Sequence, residues 1–569
     1  MADKLRASDS RASVPKAWPL FRSFASYSPA FLTQDIIAGL TLAAIVIPEQ
    51  MATARLGGFT PLIGFFAFLG GSLAFAAFGS NRFLSCGADS TITPIFAGGL
   101  ALLAASGSPD YAMLAVALAL IVGTFLVIGG ICRLGWIADL LSVPVTTGFL
   151  VGISAHILIS QLPAILGLPA PSGPMLGRLA ALISNSGHAN PFTLMIGLGV
   201  LAIIAVSEKI NARIPGALIG LVAASAAVIW TGLESRGVPV LGVISVGLPK
   251  PGLPDVTIGH WIRLVPLGLI IAIVVMVQTA ATTRSFPSEA DQPPDVNRDF
   301  IGVGAGSVLA GLFGAFPVNA SPPRTGIVSE TGGRSQLAGL VAVAVVLALL
   351  VFGATLLQHV PEAALGGVLL FVALRIVHVG QIVAIYRQSS VEFWLIVATA
   401  AAIILLPIQQ GVGIGIALSL VHGVWSTTRA RLVIFERVPG TSIWWPASPN
   451  IAGETESHIV VAGFQAPLSF LNANDFRQDV LNALHASPAG VRLIVLEATG
   501  ILDIDFTAAQ AFNDLIRRCR AEGVDFAIAR LECLGAQEAV VQFGIDRSLG
   551  PDRIFHSVAE ALAALRNPA

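Results

Sequence analysis

Across residues 1–428 the chain carries only 37 Lys, Arg, Asp and Glu side chains, about one residue in twelve where a soluble protein has about one in four. A stretch this long and this apolar needs lipid as its solvent. The remaining 141 residues carry 28 such charges, about one in five, which is a soluble composition. The chain therefore reads as a membrane part followed by one soluble domain. Its hydrophobic fraction of 55% and mean hydropathy of +0.81 exclude a secreted or cytosolic enzyme and a disordered scaffold. A formal net charge of -1 excludes a general nucleic-acid binder. The four cysteines, Cys86, Cys132, Cys519 and Cys533, form no CxxC pair and no His–Cys cluster, so neither a disulfide framework nor a zinc site is expected. No Walker loop or nucleophile elbow appears; the chain is not read as an enzyme and no cofactor is expected.

Fourteen apolar segments follow in order. The first seven cover 35–54, 61–78, 90–103, 111–132, 145–166, 191–206 and 215–230. The second seven cover 264–283, 300–315, 321–329, 337–357, 363–377, 391–407 and 411–425. Several fall short of the roughly 20 residues of a straight span. Residues 1–34 are polar and lack an apolar core with a cleavage site, so they read as a cytoplasmic segment rather than a signal peptide. Lys4, Arg6, Arg11, Lys16 and Arg22 precede the first segment, and Arg429, Arg431 and Arg437 follow the last. Connections on that same side hold Arg82, Arg133, Lys209, Arg213, Arg284, Arg298, Arg334 and Arg387; the other side holds fewer, such as Arg178, Arg236 and Lys250. Both ends are therefore expected on the cytoplasmic side of the cytoplasmic membrane.

The halves echo each other. Leu140-Leu141-Ser142-Val143-Pro144 and Leu356-Leu357-Gln358-His359-Val360-Pro361 lie 217 residues apart at their prolines, Glu49 and Gln278 lie 229 apart, and the short third segments begin 232 apart at Asp89 and Ser321. Similar offsets suggest two copies of one seven-segment unit, and an odd number of spans per copy inverts one against the other.

The short segments open on Ser85-Cys86-Gly87-Ala88-Asp89-Ser90-Thr91 and on Phe316-Pro317-Val318-Asn319-Ala320-Ser321-Pro322-Pro323-Arg324-Thr325. Both are small-residue or Pro-rich stretches leading into helices too short to span. Half-helices that start inside the membrane present unpaired N–H groups and a positive dipole end. Two such ends meeting would bind an anion, with Arg324 adding charge; the alternative is a kinked structural helix with Arg324 snorkelling to an interface. Glu49 lies within Ile47-Pro48-Glu49-Gln50-Met51, where a carboxylate in lipid is a functional candidate and a possible proton carrier; the alternative is a hydrogen-bonded structural acid. Asp89 at a helix start either caps the helix or couples anion uptake to protonation. Gln278 and Thr282 share a helix face and can hydrogen-bond a ligand, though Gln278 supplies no charge for Na⁺. Thr279 and Thr283 read as helix–helix contacts.

At these residues the chain resembles the sulfate permease (SulP-type) anion transporters. The matching blocks run from Ala38-Gly39-Leu40-Thr41 through Ile47-Pro48-Glu49-Gln50-Met51-Ala52 to Phe78-Gly79-Ser80, then Asn297-Arg298-Asp299-Phe300-Ile301-Gly302-Val303-Gly304, Gly311-Leu312-Phe313-Gly314-Ala315-Phe316-Pro317-Val318 and Arg324-Thr325. The resemblance implies a uracil-permease-like all-α membrane domain of seven plus seven inverted spans, divided into core and gate domains, with spans three and ten meeting head to head. It implies a substrate site at Glu49, Thr53, Ala88, Asp89, Ser90, Asn319, Ala320, Ser321, Pro323 and Arg324. In Na⁺-coupled bicarbonate members an acid and a Thr of span eight hold the cation. Gln278 and Thr282 stand there in this chain, so H⁺ is the expected coupling ion before Na⁺. Span three reads Gly87-Ala88 where the family has Gly-Pro.

The tail alternates strand and helix: strands over 457–464, 492–497 and 526–531, helices over 472–484, through Arg518 after the stretch 503–509, and over 557–565. It resembles the α/β STAS domain, which implies Thr507 as a regulatory phosphorylation position; the plainer reading is that Thr507 N-caps its helix. The domains expected are 1–34 cytoplasmic segment, 35–428 transport domain, 429–454 linker and 455–569 STAS domain. The function expected is alternating-access transport of a small anion such as sulfate or bicarbonate, with protons as co-substrate, by a homodimer embedded in lipid. The alternatives are a dicarboxylate or nucleobase permease on the same fold, or a membrane-anchored STAS sensor.

Overall fold

Apolar runs bounded by Pro and Gly set the helix ends. Pro61, Pro109 and Pro191 stand in the first turns of their helices, where the missing N–H has no intrahelical partner to lose. Ser108 and Asn190 cap the second and third of these, accepting from Tyr111 N–H and from Phe192 and Thr193 N–H. Gly167 and Gly232 close two others at φ of 67° and 63°, left-handed values that a side chain would strain.

The computed structural model describes residues 20–24, 27–136, 141–171, 173–211, 214–242, 251–287, 295–353, 357–428, 431–447, 453–486 and 490–565. Lys4, Arg6, Arg11, Lys16, Leu140, Arg213, Lys250, Leu356 and Arg429, used above for orientation and repeat, lie outside them. The chain divides into two compact units, 1–420 and 421–569.

In the first unit the order is α1 (Leu32–Leu56), α2 (Pro61–Phe78), β1 (Cys86–Gly87), α3 (Thr93–Leu100), α4 (Pro109–Ile131), α5 (Val143–Leu166), α6 (Met175–Ser184), α7 (Pro191–Ile210) and α8 (Gly216–Thr231). Then come α9 (Ile258–Ser285), α10 (Val296–Leu312), β2 (Asn319–Ala320), α11 (Pro322–Glu330), α12 (Leu337–Phe352), α13 (Glu362–Ile376), α14 (Val379–Gln388), α15 (Ser390–Leu405) and α16 (Ile408–Thr428). Eight helical stretches among the described residues are long and apolar enough to cross a membrane; α8, α12 and α15 are apolar but shorter. The amphipathic helices α6 and α14 were not expected, because a search for apolar runs passes over helices with one polar face.

Packing sorts these helices into two bundles. One gathers α1, α2, α4, α9, α10 and α12 around the short helices α3 and α11; the other gathers α5, α7, α8, α13 and α15. Close approach depends on glycine. A Cβ on Gly123 of α4 would sit 2.6 Å from the Gly304 carbonyl of α10, and one on Gly304 would sit 2.8 Å from that of Gly123. Outward faces are apolar: Trp230, Phe352, Met195 and Ile210 are largely exposed, as lipid permits and water does not. Two acids turn inward and are satisfied there by protein donors, because lipid offers no hydrogen bonds. Asp299 accepts from Ser80 N–H (2.7 Å), Ser80 Oγ (2.8 Å), Asn81 N–H (3.0 Å) and Thr283 Oγ1 (2.8 Å). Asp35 accepts from Arg334 N–H (2.6 Å), Ser335 N–H (3.2 Å) and Ser335 Oγ (2.6 Å) ahead of α12.

The second unit is a six-stranded sheet in the order β4-β3-β5-β6-β7-β8. Its strands are β3 (Leu432–Arg437), β4 (Trp444–Pro446), β5 (Ile459–Phe464), β6 (Leu493–Glu497), β7 (Asp525–Ala529) and β8 (Ile554–Phe555). β5 through β8 pair in parallel, while β3 runs antiparallel to β5 and β4. The helices are α17 (Ala473–His485), α18 (Phe506–Ala521), α19 (Leu534–Gln542), α20 (Ile545–Leu549) and α21 (Val558–Leu565). One face of the sheet is covered by Phe476, Phe512, Leu515 and Val540, the other by Trp444, Val558 and Leu562. Within 429–454, expected as a linker, 432–437 and 444–446 are strands, and Leu432 pairs with Phe464. Glu436 and Arg437 inside Leu432–Arg437 and the short loop to Trp444 had masked an alternating strand pattern.

Candidate functional site

Two pieces of extended chain meet inside the first bundle. β1 and β2 pair antiparallel, Cys86 opposite Ala320 and Gly87 opposite Asn319, and Ser321 N–H donates to the Ser85 carbonyl at 3.0 Å. Interrupted segments at membrane depth satisfy each other's backbone in this way. Each strand leads into a half-helix, α3 of 8 residues and α11 of 9 residues. Their positive ends are thereby brought together. They are not equivalent as donors. Pro322 and Pro323 are the first two residues of α11 and carry no N–H; both are exposed.

Arg324, third in α11, supplies what the prolines remove. Its side chain is fully buried. Nη1 donates to the Ala88 carbonyl at 3.0 Å and lies 3.4 Å from Glu49 Oε1. Nε and Nη2 have no hydrogen-bond partner among the described residues. Glu49, side chain 14% exposed, follows Pro48, which interrupts the hydrogen bonding of α1. Of the two readings of Arg324, the snorkelling one does not describe this side chain, which turns inward.

Asp89 is buried and its Oδ1 accepts from Thr91 N–H at 2.9 Å and from the Thr91 hydroxyl. It closes the turn before α3, close to the capping role considered for it. The Thr91 hydroxyl also lies 3.0 Å from Gln278 Oε1, which accepts from Asn319 Nδ2. Asp89, Thr91, Gln278 and Asn319 thus form one polar chain linking α3, α9 and β2. Asn319 Oδ1 accepts from Ala320 N–H at 2.9 Å. Ser321 is the residue before α11, and its carbonyl accepts from Thr325 Oγ1 at 2.7 Å. Ser90 is buried. Thr53 lies one turn beyond Glu49, its buried hydroxyl without a partner among the described residues. Thr282 donates to the Gln278 carbonyl at 2.7 Å, so its proton is spent on its own helix. Thr283 joins α9 to Asp299 of α10, as a helix–helix contact should, whereas the Thr279 hydroxyl has no partner among the described residues.

A small, mostly apolar cleft of about 20 Å³ adjoins Gln278, between α9 and the helices α5, α15 and α16; Thr146, Thr399, Phe149 and Ile416 help line it. Two residues of the site were not singled out from the sequence, Gln50 and Thr91. Gln50 carried a signal, a polar side chain in an apolar helix beside Glu49; Thr91 carried none beyond its place ahead of α3.

In the second unit the N-cap of α18 is Asp505, whose Oδ1 accepts from Ala508 N–H at 2.8 Å. Thr507 is the second residue of that helix and exposed, so the reading of Thr507 as the cap is corrected. An Asp two residues earlier outcompetes Thr because only that position keeps the extended backbone a cap requires.

A helical membrane unit with paired half-helices, followed by an α/β sheet domain, defines a class of two-part membrane transporters. The sulfate permease family model matches residues 32–399 and the STAS domain model matches 450–561. A probable sulfate transporter of Mycobacterium tuberculosis (strain H37Rv) is 32% identical over 548 residues, covering 95% of this chain and 97% of the relative. Probable sulfate transporter 4.2 of Arabidopsis thaliana is 25% identical, covering 87% and 75%. The chain belongs to the sulfate permease family and carries a STAS domain. Two solved structures share the fold. The murine solute carrier 26 family member A9 anion transporter in the inward-facing state superposes with a TM-score of 0.87 at 22% identity, over 99% of this chain and 96% of that one. The transmembrane domain of a cyanobacterium bicarbonate transporter, BicA, gives 0.60 at 23%, over 70% and 98%.

Proposed function

We propose that the chain is a secondary transporter that carries a small inorganic anion across the cytoplasmic membrane by alternating access. The observation that carries this reading is Arg324: a buried guanidinium with Nε and Nη2 unpartnered among the described residues, beside two half-helix N-termini. An anion placed there would accept from Arg324 and from the backbone of Asp89 and Ser90 at the start of α3, with Asn319, Ser321 and the Thr53 hydroxyl around it. Ala320 and Pro323 shape the wall, and Gln278 and Thr282 border the cavity side. The names of the relatives favour sulfate, and that of BicA keeps bicarbonate in the panel.

The membrane part is proposed to cross fourteen times in two inverted sevens, with both ends cytoplasmic. The antiparallel pairing of β1 with β2 supports inversion, and so do the amphipathic helices α6 and α14, each following the fifth span of its half. The bundle holding α3 and α11 would move as the core against the other as the gate, in a homodimer. Glu49 and Asp89 beside Arg324 are two acids against one cation, so protonation of one of them would relieve the charge that an incoming anion adds; Gln278, a neutral amide, supplies no carboxylate to hold Na⁺, so H⁺ rather than Na⁺ is the coupling ion proposed. No other cofactor is proposed. Thr507 is proposed as a regulatory position, where a phosphate would crowd Asp503 and Asp505.

The test is uptake of radiolabelled sulfate and bicarbonate by the purified chain in liposomes under imposed pH and Na⁺ gradients. Uptake stimulated by an inward H⁺ gradient and indifferent to Na⁺ is expected. Uracil binding without anion uptake would show a nucleobase permease instead.

A further inference from the structure

We propose that Gln50 is the positioning residue of the anion site, acting on Arg324 through the backbone of Ala88. Gln50 is completely buried in α1. Its Oε1 accepts from Ala88 N–H at 2.8 Å and its Nε2 donates to the Ala88 carbonyl at 3.1 Å. One side-chain amide completes both backbone groups of one residue, as a neighbouring strand would. Ala88 needs this, because the ladder between β1 and β2 ends at Gly87 opposite Asn319. Beyond that point the chain turns towards α3, and a buried N–H or C=O left unpaired is costly.

The same Ala88 carbonyl accepts from Arg324 Nη1 at 3.0 Å. A carbonyl oxygen has two lone pairs, and Gln50 and Arg324 take one each. Gln50 therefore fixes the direction of the oxygen that anchors Nη1, and so the direction in which Nε and Nη2 point. Glu49, the preceding residue, meets the same guanidinium at 3.4 Å. Helix α1 thus holds Arg324 twice, by charge through Glu49 and by geometry through Gln50. A second consequence concerns the ligand. The Ala88 N–H is already spent, so of Ala88, Asp89 and Ser90 only the last two have backbone N–H groups to offer an anion.

The inference rests on the transport reading, and the experiment separates the two. Full-length protein in liposomes is assayed for sulfate and bicarbonate uptake as wild type, Gln50→Leu, Gln50→Glu, Arg324→Lys and the double variant Gln50→Leu/Arg324→Lys. Gln50→Leu is expected to raise KM about tenfold, the loss of one charge-directed hydrogen bond's worth of binding, with a smaller change in maximal rate. Gln50→Glu keeps the acceptor for Ala88 N–H but sets a second oxygen against the Ala88 carbonyl, and raises KM further. In the Arg324→Lys background Gln50→Leu adds less than about twofold, because the group it positions is gone. A purely structural Gln50 gives the opposite pattern, namely lowered thermal stability, unchanged KM in the surviving protein, and losses that add in the two backgrounds. That pattern overturns the inference. Should Gln50→Leu not assemble, Gln50→Asn, which keeps the amide but withdraws it by one methylene, is read in the same way. A wild-type chain that takes up neither anion overturns the transport reading and this inference with it; wild-type uptake with Gln50→Leu unaltered overturns the inference alone.

Discussion

A guanidinium taken out of water keeps its charge only where acceptors and a counter-charge replace its lost hydration. Arg324 has the Ala88 carbonyl and Glu49, and nothing else among the described residues. Arg324→Ala should therefore abolish anion uptake and also leave the Glu49 carboxylate almost buried without its partner, a change that costs about 3 kcal/mol or more where such pairs are broken on one side. Adding Glu49→Gln to Arg324→Ala should restore much of the lost thermal stability in detergent but none of the uptake. A double variant no more stable than the single one would show that the pair does not matter to the fold. Glu49, Asp89 and Arg324 were legible in the sequence because charge in an apolar helix is expensive enough to demand a reason. Thr91 was not, and Gln50 showed only as a polar side chain beside Glu49, since a neutral amide or hydroxyl is cheap to bury once bonded and its partner, here Ala88 or Gln278, lies in another segment.

At the scale of elements, what sequence patterns showed best were helices that are apolar all round and strands buried on both faces, such as Pro61–Phe78 and Leu493–Glu497. What they hid were elements with mixed surfaces, α6, α14 and the β3–β4 hairpin, whose apolar side is defined only by the neighbour it packs on. Asp299 shows how elements are then locked. It lies in α10, yet its carboxylate accepts from the α2–β1 loop at Ser80 and Asn81 and from α9 at Thr283. Asp299→Ala should lower stability by about 3 kcal/mol, since several charge-assisted bonds go at once and their buried donors stay behind. Thermal unfolding in detergent measures it, and a loss below about 1 kcal/mol would mean that water replaces the carboxylate. In the second unit Cys519 lies wholly buried on α18, and burial, assisted by Glu522, pushes its thiol up to about 11. The thiolate is the reactive form, so at pH 8 the folded chain should be labelled by a thiol reagent at Cys533 and not at Cys519. Equal labelling of both by peptide mapping would show that α18 opens readily.

For the membrane unit as a whole, alternating access requires contacts between the two bundles that form on one side and break when the other side closes. Helix α1 belongs to the bundle with the site and α13 to the other, and they pack on each other. At the last turn of α1, Arg55 meets Glu362 in the first turn of α13 at 2.7 Å. On the proposed orientation, with the N-terminus cytoplasmic, that end of α1 faces outward, and the ion pair would hold the external side closed when the site opens inward. Both side chains are about one-third exposed or less, and such pairs are worth roughly 1 kcal/mol. That suffices to shift a balanced two-state equilibrium about fivefold. Glu362→Arg should therefore favour the outward-open state and lower the KM for external sulfate severalfold, without touching any group proposed to hold the anion. Arg55→Glu should do the same, and the swapped pair Arg55→Glu/Glu362→Arg should return KM to the wild-type value. Single reversals that behave as wild type, or a swap that fails to restore it, would show that α1 and α13 stay together throughout the transport cycle and that the bundles part elsewhere.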